Sequence, residues 1–171
     1  MALAAAALVL GSQCVSIHKS LVAQRETVDR AWAEVEAALN HRAGVVSEMV
    51  ETVLHEAPDQ APKIVAVSDA RSSLASAHGP REKIKANARL DNALASLMLL
   101  AENYPSLEGG QKFGGLLETL KGAEYQIAVA RRKYNEAVEH YNTRIALFPD
   151  NLVASLSGFG KIDEYFQTPA I

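Results

Sequence analysis

Between Phe113 and Phe148 an apolar or aromatic residue recurs every seven positions without a gap: Phe113, Leu120, Ile127, Tyr134, Tyr141 and Phe148. Leu117, Val138 and Ile145 form a second row beside it. Seven residues make nearly two helical turns, so each row lies on one helix face and forms a seam for packing against other helices. The N-terminal third repeats the pattern. Leu21, Val28, Val35 and Met49 form one row, and Trp32, Leu39, Val46 and Val53 form its companion. Two such segments confine the chain to left-handed helical packing, and the aromatics in them read as core rather than as a cofactor box.

Prolines mark where those helices can begin and end. Pro58, Pro62, Pro80, Pro105, Pro149 and Pro169 leave proline-free stretches at 1–57, 63–79, 81–104 and 106–148. A helix interior tolerates proline badly because the ring clashes and an N–H is lost. Asp59-Gln60-Ala61-Pro62 supplies a capping residue and a first-turn proline. His78-Gly79-Pro80 reads as a stop and restart. Tyr104-Pro105-Ser106 with Glu108-Gly109-Gly110 breaks the chain again, and Phe148-Pro149-Asp150-Asn151 ends the last long helix. No alternating stretch is flanked by hairpin turns. The expected fold is all-α: an antiparallel up-down bundle of four helices, with the first and last long and the middle two short. The long pair, 18–57 and 107–148, should each run about 60 Å at 1.5 Å per residue.

Composition agrees and narrows the function. The 171 residues are 49% hydrophobic and 6% aromatic, a helix-forming mixture rich in Ala, Leu, Glu, Lys and Arg. With 17 Lys+Arg against 20 Asp+Glu, the net charge is −3, which gives no electrostatic footprint for nucleic acid. A single cysteine, Cys14, excludes an internal disulfide framework and a cysteine zinc site.

Three charged residues interrupt the seams: Arg42 in the first helix, and Glu124 and Arg131 in the last. A charge in an apolar seam is costly unless paired. Arg42, Glu124 and Arg131 therefore form a candidate polar core network that fixes register. The alternative is that long stems snorkel and keep their heads wet.

Residues 1–17 carry no charged side chain and are read as an apolar N-terminal anchor segment. A full membrane span needs about 20 apolar residues, so this one is short. No basic stretch precedes it, as a cleaved signal peptide would have. Cys14 is a possible lipidation site, although Gln13 departs from the small residue expected beside a lipidated cysteine. An Ala-rich extension of the first helix is the third reading. Lys19 and Arg25 follow the run closely and favour a bundle on the cytoplasmic side. The chain thus divides into an anchor at 1–17, a bundle at 18–150, and a tail at 151–171 that packs near the anchor-proximal end.

Catalytic chemistry has little footing, and no catalytic residue, cofactor site or metal site is assigned. The five histidines form no HExxH pair. Glu51/His55 and Glu136/His140 are spaced by four, whereas a di-iron bundle uses Glu-x-x-His. Gly109-Gly110 and Gly114-Gly115 lack the following Lys-Ser/Thr of a phosphate loop. Arg131-Arg132-Lys133 and the cluster Arg81, Lys83, Lys85 and Arg89 read as solvated helix surface. The middle helices are too short to flank the whole long pair, which leaves roughly 20–36 against 131–148 as a bare helix pair. Its seam, Val28, Trp32, Tyr134, Tyr141 and Phe148, is the candidate interface. The tail with Phe159, Tyr165 and Phe166, a second copy or a protein partner should cover it.

The last third reads Tyr104-Pro105-x-Leu107, Phe113, Leu117, Leu120, Glu124, Ile127-Ala128 and Ala130-Arg131. Tyr134-Asn135, Ala137-Val138, Tyr141-Asn142 and Phe148-Pro149-x-Asn151-Leu152-Val153-Ala154 follow. The first helix adds Leu21-Val22, Val28, Ala31-Trp32, Leu39, Arg42 and Val50-Glu51-Thr52-Val53, and Gly158-Phe159 with Tyr165-Phe166 close the chain. On these residues, across 17–166, the chain resembles the LemA family of bacterial membrane-anchored helical proteins. It departs from the family at His18-Lys19, where Tyr-Asn is usual, and at 41–48, where Arg-Arg-Tyr-Asp-Leu-Ile-Pro-Asn is usual. The resemblance implies an N-terminal membrane anchor and an antiparallel helical bundle without an established enzymatic activity. The expected function is that of a non-enzymatic, membrane-tethered scaffold or interaction module at the bacterial membrane. It would be single-pass with the bundle cytoplasmic, or lipid-anchored at Cys14. Its partner would be an unknown protein or another copy. Some relatives act in magnetosome membrane biogenesis, and nothing in these residues selects that role. The alternative is a metal-binding or enzymatic helical bundle using a Glu/His cluster.

Overall fold

A computed structural model describes residues 2–102 and 110–166 of the protein, with the side chains of 11–59, 64–99 and 110–166. The described residues are all-α, with no strand among them. Helix α1 spans Ala2–Glu56, a 3-10 turn follows at Pro58–Gln60, α2 spans Ala61–Ser76 and α3 spans Gly79–Glu102. Helix α4 spans Gln111–Ala146 and α5 spans Asp150–Ser157. The break expected at 104–109 lies outside the described residues.

Two of these boundaries show why the punctuation works. Gly79 starts α3 at φ +71°, a backbone conformation that L side chains seldom adopt. The His78 N–H donates to Glu82 Oε2 at 2.9 Å, occupying a backbone donor at the start of the helix. The other boundary is a correction. Pro149 was read as the end of helical structure, yet it is the N-cap of a fifth helix, α5. Proline removes an N–H that a helix start does not use, so it can open a helix as readily as end one. Gly158 closes α5 at φ +76°, with Phe159 N–H reaching the Ala154 carbonyl at 2.9 Å in a Schellman bond.

The chain divides into two compact units, Met1–Glu34 with Ala130–Ile171, and Val35–Val129, the divisions falling inside α1 and α4. In the second unit the heptad rows supply the core. Val35, Leu39, Val46, Met49 and Val53 of α1 are buried, as are Ile64, Val67 and Leu74 of α2. Leu90, Leu94 and Leu97 of α3 and Phe113, Leu120, Ala123 and Ile127 of α4 join them.

In the first unit α1 and α4 run antiparallel. Trp32 meets Tyr134, Lys133 Nζ meets Glu34 Oε2 at 2.9 Å, and Arg25 lies over the Tyr141 ring. Leu21, Val28, Tyr134, Val138 and Tyr141 are buried between them. The last member of the aromatic row behaves differently. Phe148 is 79% exposed, because α4 ends at Ala146 and the seam ends with it. Among the described residues no helix is long and apolar enough to cross a membrane.

Candidate functional site

The polar layer belongs to the second unit and is built on Arg42. Its place in the first apolar row carries the side chain into the core, where it is 0% exposed. Nη1 donates to Asp91 Oδ1 at 2.5 Å and to Glu124 Oε1 at 2.7 Å. Nη2 donates to Asn87 Oδ1, and Asn87 in turn donates from Nδ2 to Asp91 Oδ2 at 3.1 Å. Asn87 is buried, while the two carboxylate side chains remain 42% and 44% exposed. The arrangement takes the guanidinium out of water and leaves its counter-ions at the surface. A buried charge without hydrogen-bonded partners is expensive, and here one helix delivers the cation and two others its acceptors.

The expected trio of Arg42, Glu124 and Arg131 is not what the structure assembles. Arg42 and Glu124 meet, joined by Asn87 and Asp91 of α3. Arg131 belongs to the first unit, where its guanidinium lies 5.0 Å from the centre of the Phe166 ring. Heptad spacing puts Glu124 and Arg131 on one face of α4, but the two residues fall in different units. Asn87 and Asp91 were missed because α3 shows no strict heptad row. Their spacing of four, Asn then Asp, was the only local signal that they share a helix face.

The second feature is the segment after α5, in the first unit. Residues 159–166 run back along α4 and are held there by two asparagines, each of which bonds the segment twice. Asn142 Nδ2 donates to the Ile162 carbonyl at 2.7 Å, and its Oδ1 accepts from the Ile162 N–H at 2.9 Å. Asn135 does the same for Phe166, at 2.8 and 3.0 Å. These are the two Asn of the doubled Tyr-Asn, and seven residues between them keeps both amides on one face. Asn142 Nδ2 also reaches the Tyr165 hydroxyl at 2.7 Å, and the Tyr141 hydroxyl donates to the Gly160 carbonyl at 3.1 Å.

Phe166 completes an aromatic cluster, its ring centre 6.2 Å from Trp32 and 6.1 Å from Tyr134. Burial raises the Tyr134 phenol from 10.0 to about 12, and the negative charge of Glu164 adds to the shift. Of the five candidate interface residues, Val28, Tyr134 and Tyr141 are therefore buried, Trp32 is half-buried beneath Phe166, and Phe148 alone is open to solvent. The chain's own tail occupies the surface that the bare helix pair would have offered.

The remaining candidates are dispersed. Cys14 is an exposed thiol on α1. Glu51, His55, Glu136 and His140 are exposed, and among the described residues no group of three or more His, Cys, Asp or Glu could hold a metal ion. Lys85 and Arg89 line a shallow groove with Glu82, and Lys83 pairs with Glu36 at 3.8 Å.

An all-helical protein with a buried arginine layer in one unit, and a C-terminal segment clasped by paired asparagines in the other, defines a helical module of the LemA kind. The chain belongs to the LemA family, whose model matches residues 31–170. It is similar to magnetosome proteins MamQ 1 and MamQ 2 of Paramagnetospirillum magneticum. Each is 35% identical over 89 residues, covering 52% of this chain and 32% of the relative. The magnetosome protein MamQ of Magnetospirillum gryphiswaldense is 29% identical over 79 residues, covering 46% of this chain and 29% of the relative. The matched part of the chain therefore spans about a third of the length of these curated relatives.

Proposed function

We propose that the protein is a membrane-associated helical scaffold, tethered through its N-terminal segment and working by contact rather than by catalysis. The observation that carries this reading is the uncharged run 1–17, which leads without a helix break into α1 of a LemA-family chain. A segment without charge loses little on entering lipid, whereas each Asp, Lys or Arg at the centre of a span would cost several kcal/mol. Lys19 and Arg25, just past the run, favour a cytoplasmic side for the bundle. Single-pass insertion is the first form of the tether, and lipid attached at the exposed Cys14 is the other. The four-helix up-down bundle is the form of the module in this reading. Its partner is a membrane protein or a second copy of the chain. A magnetosome role is a narrower reading that rests on the relatives' names.

Fractionation of cells carrying the full chain tests the tether. The chain should stay with membranes through an alkaline carbonate wash and be released by detergent. Recovery in the soluble fraction would overturn the reading. Cys14→Ser then separates the two tethers: an inserted segment keeps the variant in the membrane pellet, and lipidation does not.

A further inference from the structure

The first unit carries an apolar rim that its own residues leave open. Along α5, Leu152 and Leu156 sit one turn apart and are 56% and 89% exposed. Leu147 and Phe148, just before the helix, are 59% and 79% exposed. Facing α5 across a shallow groove lined by Cys14, His18, Lys19, Val153 and Ser157, Val15 of α1 is 55% exposed. His18 ties the two walls together, its Nδ1 3.2 Å from Ser157 Oγ and its ring against Phe159.

The position of this rim in the unit identifies what it meets. Trp32 pairs with Tyr134 and Arg25 with Tyr141, so each step toward the end of α4 is a step toward the start of α1. The rim therefore comes level with 14–19, where the uncharged run of the sequence ends and Lys19 supplies the first full charge. Leu156 and Phe148 protrude from helix ends rather than lining a cleft, which suits a soft apolar layer better than a shaped partner. A short helix with leucines on one side and polar groups on the other is the kind of element that lies in the interface plane of a bilayer.

We propose that α5, with Leu147 and Phe148, is a second membrane contact. The rim Val15, Phe148, Leu152 and Leu156 rests in the interfacial layer of a lipid bilayer beside the N-terminal segment, with Lys19 at the level of the lipid phosphates. This rests on the membrane association argued above and adds a surface to it. The C-terminal helix thereby sets the first unit close against the bilayer instead of leaving it on a free tether.

The test uses the full chain with Cys14→Ser and one new cysteine for an environment-sensitive fluorophore. F148C and L156C probe the rim, and Y125C, on an exposed position of the second unit, is the control. On vesicles of phosphatidylethanolamine and phosphatidylglycerol, the two rim labels should brighten, shift to the blue and be quenched by lipids brominated on their chains. The Y125C label should do none of these. In the unlabelled chain, L152E/L156E should weaken vesicle partition about tenfold or more with the helical circular dichroism unchanged. If the chain floats with vesicles while both rim labels stay aqueous, the rim proposal is overturned and the tether stands. If the chain does not float at all, the membrane association itself fails and the rim proposal with it. A blue shift without vesicles, together with a dimer mass, assigns the rim to a second copy and also overturns the proposal.

Discussion

Deleting both counter-ions of Arg42 should cost far more than deleting each in turn. The guanidinium is fully buried, and its Nη1 divides its contacts between Asp91 and Glu124 at 2.5 and 2.7 Å. Each carboxylate is more than two-fifths exposed, so its Coulomb attraction is screened well below the roughly 4 kcal/mol of a close pair at an effective dielectric near 20. Glu124→Ala leaves Asp91 in place and should cost about 1 kcal/mol. Asp91→Ala should cost about 2 kcal/mol, because it also takes the acceptor from Nδ2 of the buried Asn87. The double variant leaves a buried cation with Asn87 as its neutral acceptor, and losing the last counter-ion of a buried charge costs about 3–5 kcal/mol. A loss near 5 kcal/mol in the double variant therefore means a coupling of about 2 kcal/mol between the two sites. Urea unfolding followed by circular dichroism, with slopes compared across the four proteins, measures this. Additivity within about 0.5 kcal/mol, or a double variant losing less than 2 kcal/mol, would refute the shared-counter-ion account.

The first unit offers three further measurements. Phe166→Ala should cost about 3 kcal/mol by opening a cavity under a buried ring, and Trp32, the only tryptophan, reports it directly by fluorescence. Asn135→Ala should release the same segment at about 1–2 kcal/mol, since two backbone groups of Phe166 lose their partner. Because the folded Tyr134 phenol ionises near 12 and the unfolded one near 10, the unfolded chain loses its proton first. Stability should therefore fall as pH rises from 10 toward 12, and Tyr134→Phe should flatten that decline in the urea midpoint relative to the parent. Gly158→Ala should cost about 1 kcal/mol by placing a Cβ at φ +76°, read as a lower melting temperature of the first unit.

How much was legible in advance depended on the range of each interaction. Pro58, Pro62 and Gly79-Pro80 act on their own backbone, and the helices begin and end within a few residues of them. The rows through Leu21, Val35, Met49, Phe113, Ile127 and Tyr141 are periodic along one helix, and all six are buried. Pro149 misled because proline forbids a helix interior and not a helix start, so α5 was taken for tail. Phe148 misled because periodicity carries no information about where the seam runs out of neighbours.

What the sequence determined alone is therefore the local part: an all-helical chain, the approximate bounds of α1 to α4, and the presence of Arg42 and Glu124 on packing faces. Each follows from forces acting within about two helical turns. Tertiary structure decided the partners. Asn87 and Asp91 lie 45 and 49 positions from Arg42, and the register of α3 against α1 brings them to its guanidinium. Phe166 reaches Tyr134 only because Asn135 and Asn142 hold an otherwise irregular segment against α4. A buried charge demands acceptors and an exposed ring demands cover, so the sequence states the demand. Which residues meet it depends on how helices distant in the chain come into register.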